Sequence, residues 1–125
     1  MAPKTQKERP RGDNFLHMEY RELGRSGERI SAVGLGCFAF GGDKPTGGHL
    51  GGSMVKLHAK CWGNQDEADT NAAVKAALDA GINFFDNAEM YGDGYAEEAL
   101  GSALRASGYE RSAYYIATKV RNDRQ

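Results

Sequence analysis

The string FFDNAEMYGDG at residues 84–94 sets a carboxylate, Asp86, directly after apolar residues and a phenol, Tyr91, a few positions later. A second apolar run, YYIATK, closes on an amine, Lys119. If both runs are buried parallel strands, Asp86 and Lys119 stand at C-terminal strand ends, the edge on which α/β barrels gather their catalytic groups. Three such side chains can then meet although they are far apart in sequence. Their meeting has a chemical use. A free phenol ionises near pH ~10, and bringing it toward neutrality takes about three units, or ~4 kcal/mol. An ammonium about 4 Å away at an effective dielectric of ~20 contributes roughly that much. Lys119 is placed to supply it, Asp86 to keep Lys119 charged and oriented, and Tyr91 to serve as a proton donor. Taken singly, each residue also has a plainer role: Asp86 suits a turn or helix cap, and Tyr91 suits a loop rim.

The elements that must carry these residues follow from pattern. EYREL, GRSG and RISAV read as a β-hairpin, two β-compatible segments around a Gly/Ser turn. SAVGLGC reads as a buried strand ending in glycine. In NQDEADTNAAVKAALDAG, the residues Ala73, Val74, Ala77 and Leu78 mark one helical face, while Asp66, Glu67 and Asp69 crowd the positive end of the helix dipole and Gly81 supplies a stop. INFFD is a short buried strand. AEEALGSALRASG repeats the helical pattern through Ala96, Ala99, Leu100, Ala103 and Leu104, and SAYYIATKV gives one more strand. The order is hairpin, β, α, β, α, β, and such alternation demands a parallel sheet with helices packed outside it. Two segments stand apart. Residues 1–17 are polar and read as a disordered leader ahead of a domain over 18–125. Residues 43–61 are glycine-rich with no sustained period, an atypical insert.

Composition narrows the function. A net charge of −1 over 125 residues offers no basic footprint for nucleic acid. The longest nearly apolar run, SAVGLGCFAFGG, is too short to span a bilayer. Two cysteines, Cys37 and Cys61, and no secretory signal point to a reducing, cytoplasmic setting. GLGCFA fits the dinucleotide fingerprint formally, but FGGDKPTGG behind it cannot propagate the helix that the fingerprint needs. A small flavodoxin-like nucleotide binder would need glycine-loop phosphate contacts and helices on both sheet faces, and the long insert gives it no support. His49, His58 and Cys61 match no compact zinc pattern, so no metal site is expected.

YRELGRSGERISAVGLGC, NAAVKAALDAGINFFDNAEMYG, AEEALGSAL and ERSAYYIATKV together resemble the N-terminal portion of an aldo/keto reductase, and GLGCFAFGG and INFFDNAEMYG are similar to the branch that contains potassium-channel β-subunits and bacterial reductases. The resemblance implies a (β/α)8 barrel closed at its base by the hairpin and truncated here after about three parallel strands. It implies NADPH as cofactor and reduction of small aldehydes or ketones by hydride transfer. It places the catalytic residues on Asp86, Tyr91 and Lys119, and sets Gly36, Cys37, Phe38 and Asp86 beside the nicotinamide. The alternative is a non-catalytic remnant or an interaction subunit of the channel-associated kind. Three open strands expose an apolar edge, so the 125-residue chain alone is expected to show no useful activity.

Overall fold

The computed structural model of the chain describes residues 17–42, 46–50, 53–57, 63 and 65–120. The stretch read as a leader, apart from His17, lies outside the described residues. Strands β1 (Tyr20–Glu22) and β2 (Arg29–Ser31) form the expected antiparallel hairpin. Strand β3 (Leu35–Gly36) follows, then a single 3-10 turn over Phe38–Gly41 in place of any long helix. Next come β4 (Thr46–Leu50), β5 (Ser53–Leu57), α1 (Glu67–Asp79), β6 (Phe84–Asp86), α2 (Tyr95–Ala106) and β7 (Tyr115–Ala117).

Strands β3, β6 and β7 make a parallel sheet in sequence order, with Gly36 opposite Asp86 and Asp86 opposite Ala117. Strand side chains alternate between faces, so Phe85 and Asp86 point to opposite sides of this sheet. Phe85 is fully buried in the same cluster as Val74 and Leu78 of α1 and Leu100 and Leu104 of α2, with its ring edge-on to Tyr114 at 6.2 Å. Asp86 therefore faces away from the helices. Its face is set by the apolar partner beside it.

Each helix begins and ends for local reasons. The Asp66 carboxylate accepts the Asp69 N–H at 2.7 Å and caps α1, whose first turn also carries Glu67. Gly81, at φ +90°, turns the chain into β6. The buried face of α1 is Thr70, Val74, Ala77 and Leu78, whereas Ala73, expected among them from sequence, is exposed. Thr70 takes that place because its hydroxyl donates back to the Asp66 carbonyl at 3.1 Å, which lets a polar side chain enter the core. On α2 the buried residues are Ala96, Leu100, Ala103 and Leu104.

The glycine-rich stretch carries a second antiparallel pair. Strands β4 and β5 pair antiparallel from Thr46 opposite Leu57 to Leu50 opposite Ser53, a ribbon where no periodic pattern is present. Backbone pairing, which needs no apolar alternation, carries it. The excursion leaves and returns at one place: a Cβ built on Gly42 would lie 3.6 Å from the Gly63 carbonyl oxygen and 3.5 Å from the Gln65 amide.

The β1–β2 hairpin is fastened across the other end of the sheet. The Asn83 amide oxygen accepts the Ser31 N–H at 2.7 Å, its amide nitrogen donates to the Arg29 carbonyl at 3.0 Å, and its own N–H donates to the Ser31 hydroxyl at 3.1 Å. Tyr20 donates to the Gly81 carbonyl at 2.7 Å, and Tyr115 donates to Glu28. Replacing Asn83 by alanine strips two of these bonds and leaves the N–H of Ser31, a residue only 3% exposed, without its acceptor. Urea unfolding of Asn83→Ala is expected to show a loss of about 1–3 kcal/mol. Amide exchange in β2 should quicken at the same time; unchanged stability would remove Asn83 from this role.

Candidate active site

The parallel ladder continues past the strand ends and fixes where the loops start. The Cys37 N–H donates to the Asp86 carbonyl at 2.8 Å, the Asn87 N–H to the Ala117 carbonyl at 2.8 Å and the Glu89 N–H to the Lys119 carbonyl at 3.3 Å. Lys119 lies two residues beyond Ala117, hence on the same side of the sheet as Asp86. Thr118, between them, donates to the Glu97 carboxylate of α2.

From these positions three side chains converge. The Lys119 ammonium donates to Asp86 Oδ1 at 2.7 Å, to the Asn87 carbonyl at 2.8 Å and to the Tyr91 hydroxyl oxygen at 3.2 Å. An ammonium has three donors, and each of these bonds uses one. The nitrogen also sits 5.0 Å from the centre of the Tyr91 ring. Asp86 and Tyr91 are thus joined through Lys119. The Asp86 carboxylate, chiefly through its hydrogen bond, raises Lys119 above the ordinary lysine range; slight burial opposes this, and Tyr91 adds to it. The amine is charged throughout the neutral range.

Tyr91 is held from three directions. Its carbonyl accepts the Ala96 N–H at 3.2 Å in the first turn of α2, and its N–H donates to the Ala88 carbonyl at 3.1 Å. Its ring meets Phe38 edge-on at 5.0 Å. The turn behind it runs through Gly92 at φ +62°, Asp93 at +55° and Gly94 at +91°. Asp93 is the one non-glycine residue at positive φ among the described residues, a conformation that aspartate tolerates better than most. Gly92 is required for a second reason. A Cβ there would stand 2.8 Å from Gly41 Cα and 2.9 Å from the Gly41 carbonyl oxygen, so the loops after β3 and β6 cross backbone to backbone. That crossing brings Phe38 to Tyr91.

The three positions expected beside a nicotinamide are placed differently from one another. Gly36 is exposed at the strand end, in register with Asp86, and a Cβ there would meet nothing within 4 Å. Phe38 is half-buried against Tyr91. Cys37 is fully buried, with its thiol donating to the Leu35 carbonyl at 3.6 Å and its carbonyl accepting the Phe40 N–H at 3.0 Å. With its N–H taken by Asp86, Cys37 packs beneath the strand ends, its N–H, thiol and carbonyl each engaged in a hydrogen bond. Burial, then the Asp86 charge, pushes its thiol up to about 12, with Lys119 opposing. Sequence reasoning missed Asn87, whose carbonyl holds the amine; a buried asparagine in a turn has the same signature as a solvated one. His58, Cys61 and the His49 side chain lie outside the described residues.

A family model described as the aldo/keto reductase family matches residues 47–125. A probable voltage-gated potassium channel subunit beta of Oryza sativa subsp. japonica is 38% identical over 104 residues, which are 82% of this chain and 25% of that protein. Aldo-keto reductase YhdN of Bacillus subtilis (strain 168) is 35% identical over 106 residues, 85% of this chain and 27% of that protein. The holo form of aldo-keto reductase AKR11C1 from Bacillus halodurans superposes with a TM-score of 0.58 at 28% identity, covering 83% of this chain and 26% of its own. The chain spans about a quarter of the length of these relatives.

The raised Lys119 fixes the sign of its pH dependence. A lysine held up in the folded state adds stability that is complete below its unfolded value of about 10.4 and fades as pH rises through the folded one. Carbon NMR titration of Lys119 is expected to place its midpoint above that reference, and Asp86→Asn should bring it down; equal midpoints would deny the ion pair. For the loop crossing, Gly92→Ala is expected to cost at least about 1–2 kcal/mol in urea unfolding, from the left-handed backbone alone. A variant as stable as the wild type would mean that the two loops do not meet as described.

Proposed function

Because the chain belongs to the aldo/keto reductase family, we propose that it supplies the proton-donating and cofactor-facing part of an NADPH-dependent reductase of small aldehydes and ketones. One observation carries the reading: a single ammonium stands 2.7 Å from a carboxylate oxygen and 3.2 Å from a phenol oxygen at the C-terminal edge of a parallel sheet. That edge is where barrels of this architecture perform their chemistry.

The residues present suit a nicotinamide. Gly36 leaves open space at the strand end, where any larger side chain would fill it. Gly36, Phe38 and Asp86 would border the ring, and Cys37 would support them from beneath. When bound, a reduced nicotinamide supplies the hydride that the carbonyl carbon accepts.

The chain's own residues handle the proton. As negative charge develops on the substrate oxygen, the Tyr91 hydroxyl donates its proton to it. The Lys119 ammonium stabilises the phenolate oxygen left behind, because it is already hydrogen-bonded there and need not move. Asp86 and the Asn87 carbonyl keep that ammonium from swinging into solvent. Phe38, edge-on to the phenol ring at 5.0 Å, restrains it and so limits the directions in which the hydroxyl can present its proton.

The test is NADPH consumption with an aromatic aldehyde, in a closed barrel that contains these residues. Tyr91→Phe is expected to lower turnover about 10²–10⁴-fold, the usual worth of a general acid, with nucleotide affinity within about twofold. Turnover retained by the phenylalanine variant would reject the role given to Tyr91.

A further inference from the structure

We propose that Asn87 is a positioning residue for this site: its buried side chain clamps the peptide group that holds Lys119 against Tyr91. The proposal rests on the reductase reading above. Lys119 and Asp86 are about half exposed, at 50% and 47%. A lysine with that freedom has many rotamers, and one exposed carboxylate restrains it weakly. Its second acceptor is the Asn87 carbonyl at 2.8 Å. The placement of the amine therefore depends on which way that carbonyl points.

The direction is set by the asparagine itself. Peptide groups are planar, so the Asn87 carbonyl and the Ala88 N–H rotate together. The Asn87 side-chain oxygen accepts that same Ala88 N–H at 2.9 Å, from the opposite end of the peptide. The side-chain nitrogen donates to the Ala96 carbonyl of α2 at 3.1 Å, and the main-chain N–H donates to Ala117 of β7 at 2.8 Å. Asn87 is 1% exposed, so water does not compete for these bonds. One residue ties β7, α2 and the loop to the peptide on which the amine rests. Without the amide the peptide can rotate, and the ammonium loses its second acceptor.

The experiment follows the Lys119 ammonium directly, by proton–nitrogen NMR of the full chain with labelled lysine, the signal being assigned from its loss in Lys119→Arg. Asn87→Ala is the obvious variant, and Asn87→Ser, which keeps a polar group, serves if alanine lowers the folded population. Exchange of the ammonium protons with water is expected to quicken about tenfold or more while the Phe85 and Tyr114 ring signals stay in place. Unchanged exchange would overturn the proposal. Kinetics in a closed barrel give a second readout: Asn87→Ser should lower kcat roughly 10- to 100-fold with KM nearly constant, the scale of a misplaced group. In a Lys119→Met background the same change should have no further effect, because Asn87 acts through the amine. Equal losses in both backgrounds would mean that Asn87 serves the fold alone. If Tyr91→Phe turns over like the wild type, the reductase reading fails, and ammonium exchange still decides what Asn87 does.

Discussion

The site depends on one amine whose three protons all have acceptors. Asp86 comes from β6, the Asn87 carbonyl from the turn after it, Tyr91 from the loop that leads into α2, and Lys119 itself from beyond β7. Two stretches of chain, 86–91 and the residues after β7, must be in register before the cluster exists. Because the ion pair is half exposed, it adds little to folding stability. What it provides is direction. The energy that holds the pieces lies beneath, in the cluster of Cys37, Phe40, Val74, Phe85, Leu100 and Leu104.

That division of labour explains the burial pattern at residues 85–88. Phe85 and Ala88 are fully buried, while Asp86 faces the open side of the sheet. Asn87 is the exception, a polar side chain sent inward, and it is accommodated because both ends of its amide are hydrogen-bonded. Cys37 shows the same principle just past β3. Its polar groups are all consumed internally, and its neighbour Gly36 is left as the open position.

Much of this was legible in the sequence. Period-3.6 apolar positions gave α2 almost entirely and α1 except for the exchange of Ala73 for Thr70, since alanine is small enough to sit on either face. Asp86 and Lys119 were visible because each ends an apolar run, and Tyr91 because it follows Asp86 at loop distance. The parallel order β3, β6, β7 followed from the alternation of strands with helices. Other features leave no such trace. The β4–β5 ribbon, TGGHL and SMVKL, mixes glycine, polar and apolar residues without a sustained period, so nothing in its pattern separates it from an irregular loop. The meeting of Gly41 with Gly92 is a tertiary contact between two glycines, each of which reads locally as an ordinary turn. Asn87 acts through a peptide plane, and no residue type announces that.

The approach of Gly42 to Gly63 and Gln65 has a structural corollary. A detour whose two feet stand side by side is closed at its base whatever its length, and the entropy of such a closure grows only with the logarithm of the residues it contains. By that slow growth, a change in the number of residues between these feet alters the cost of closing them only slightly, about 0.6 kcal/mol for each doubling.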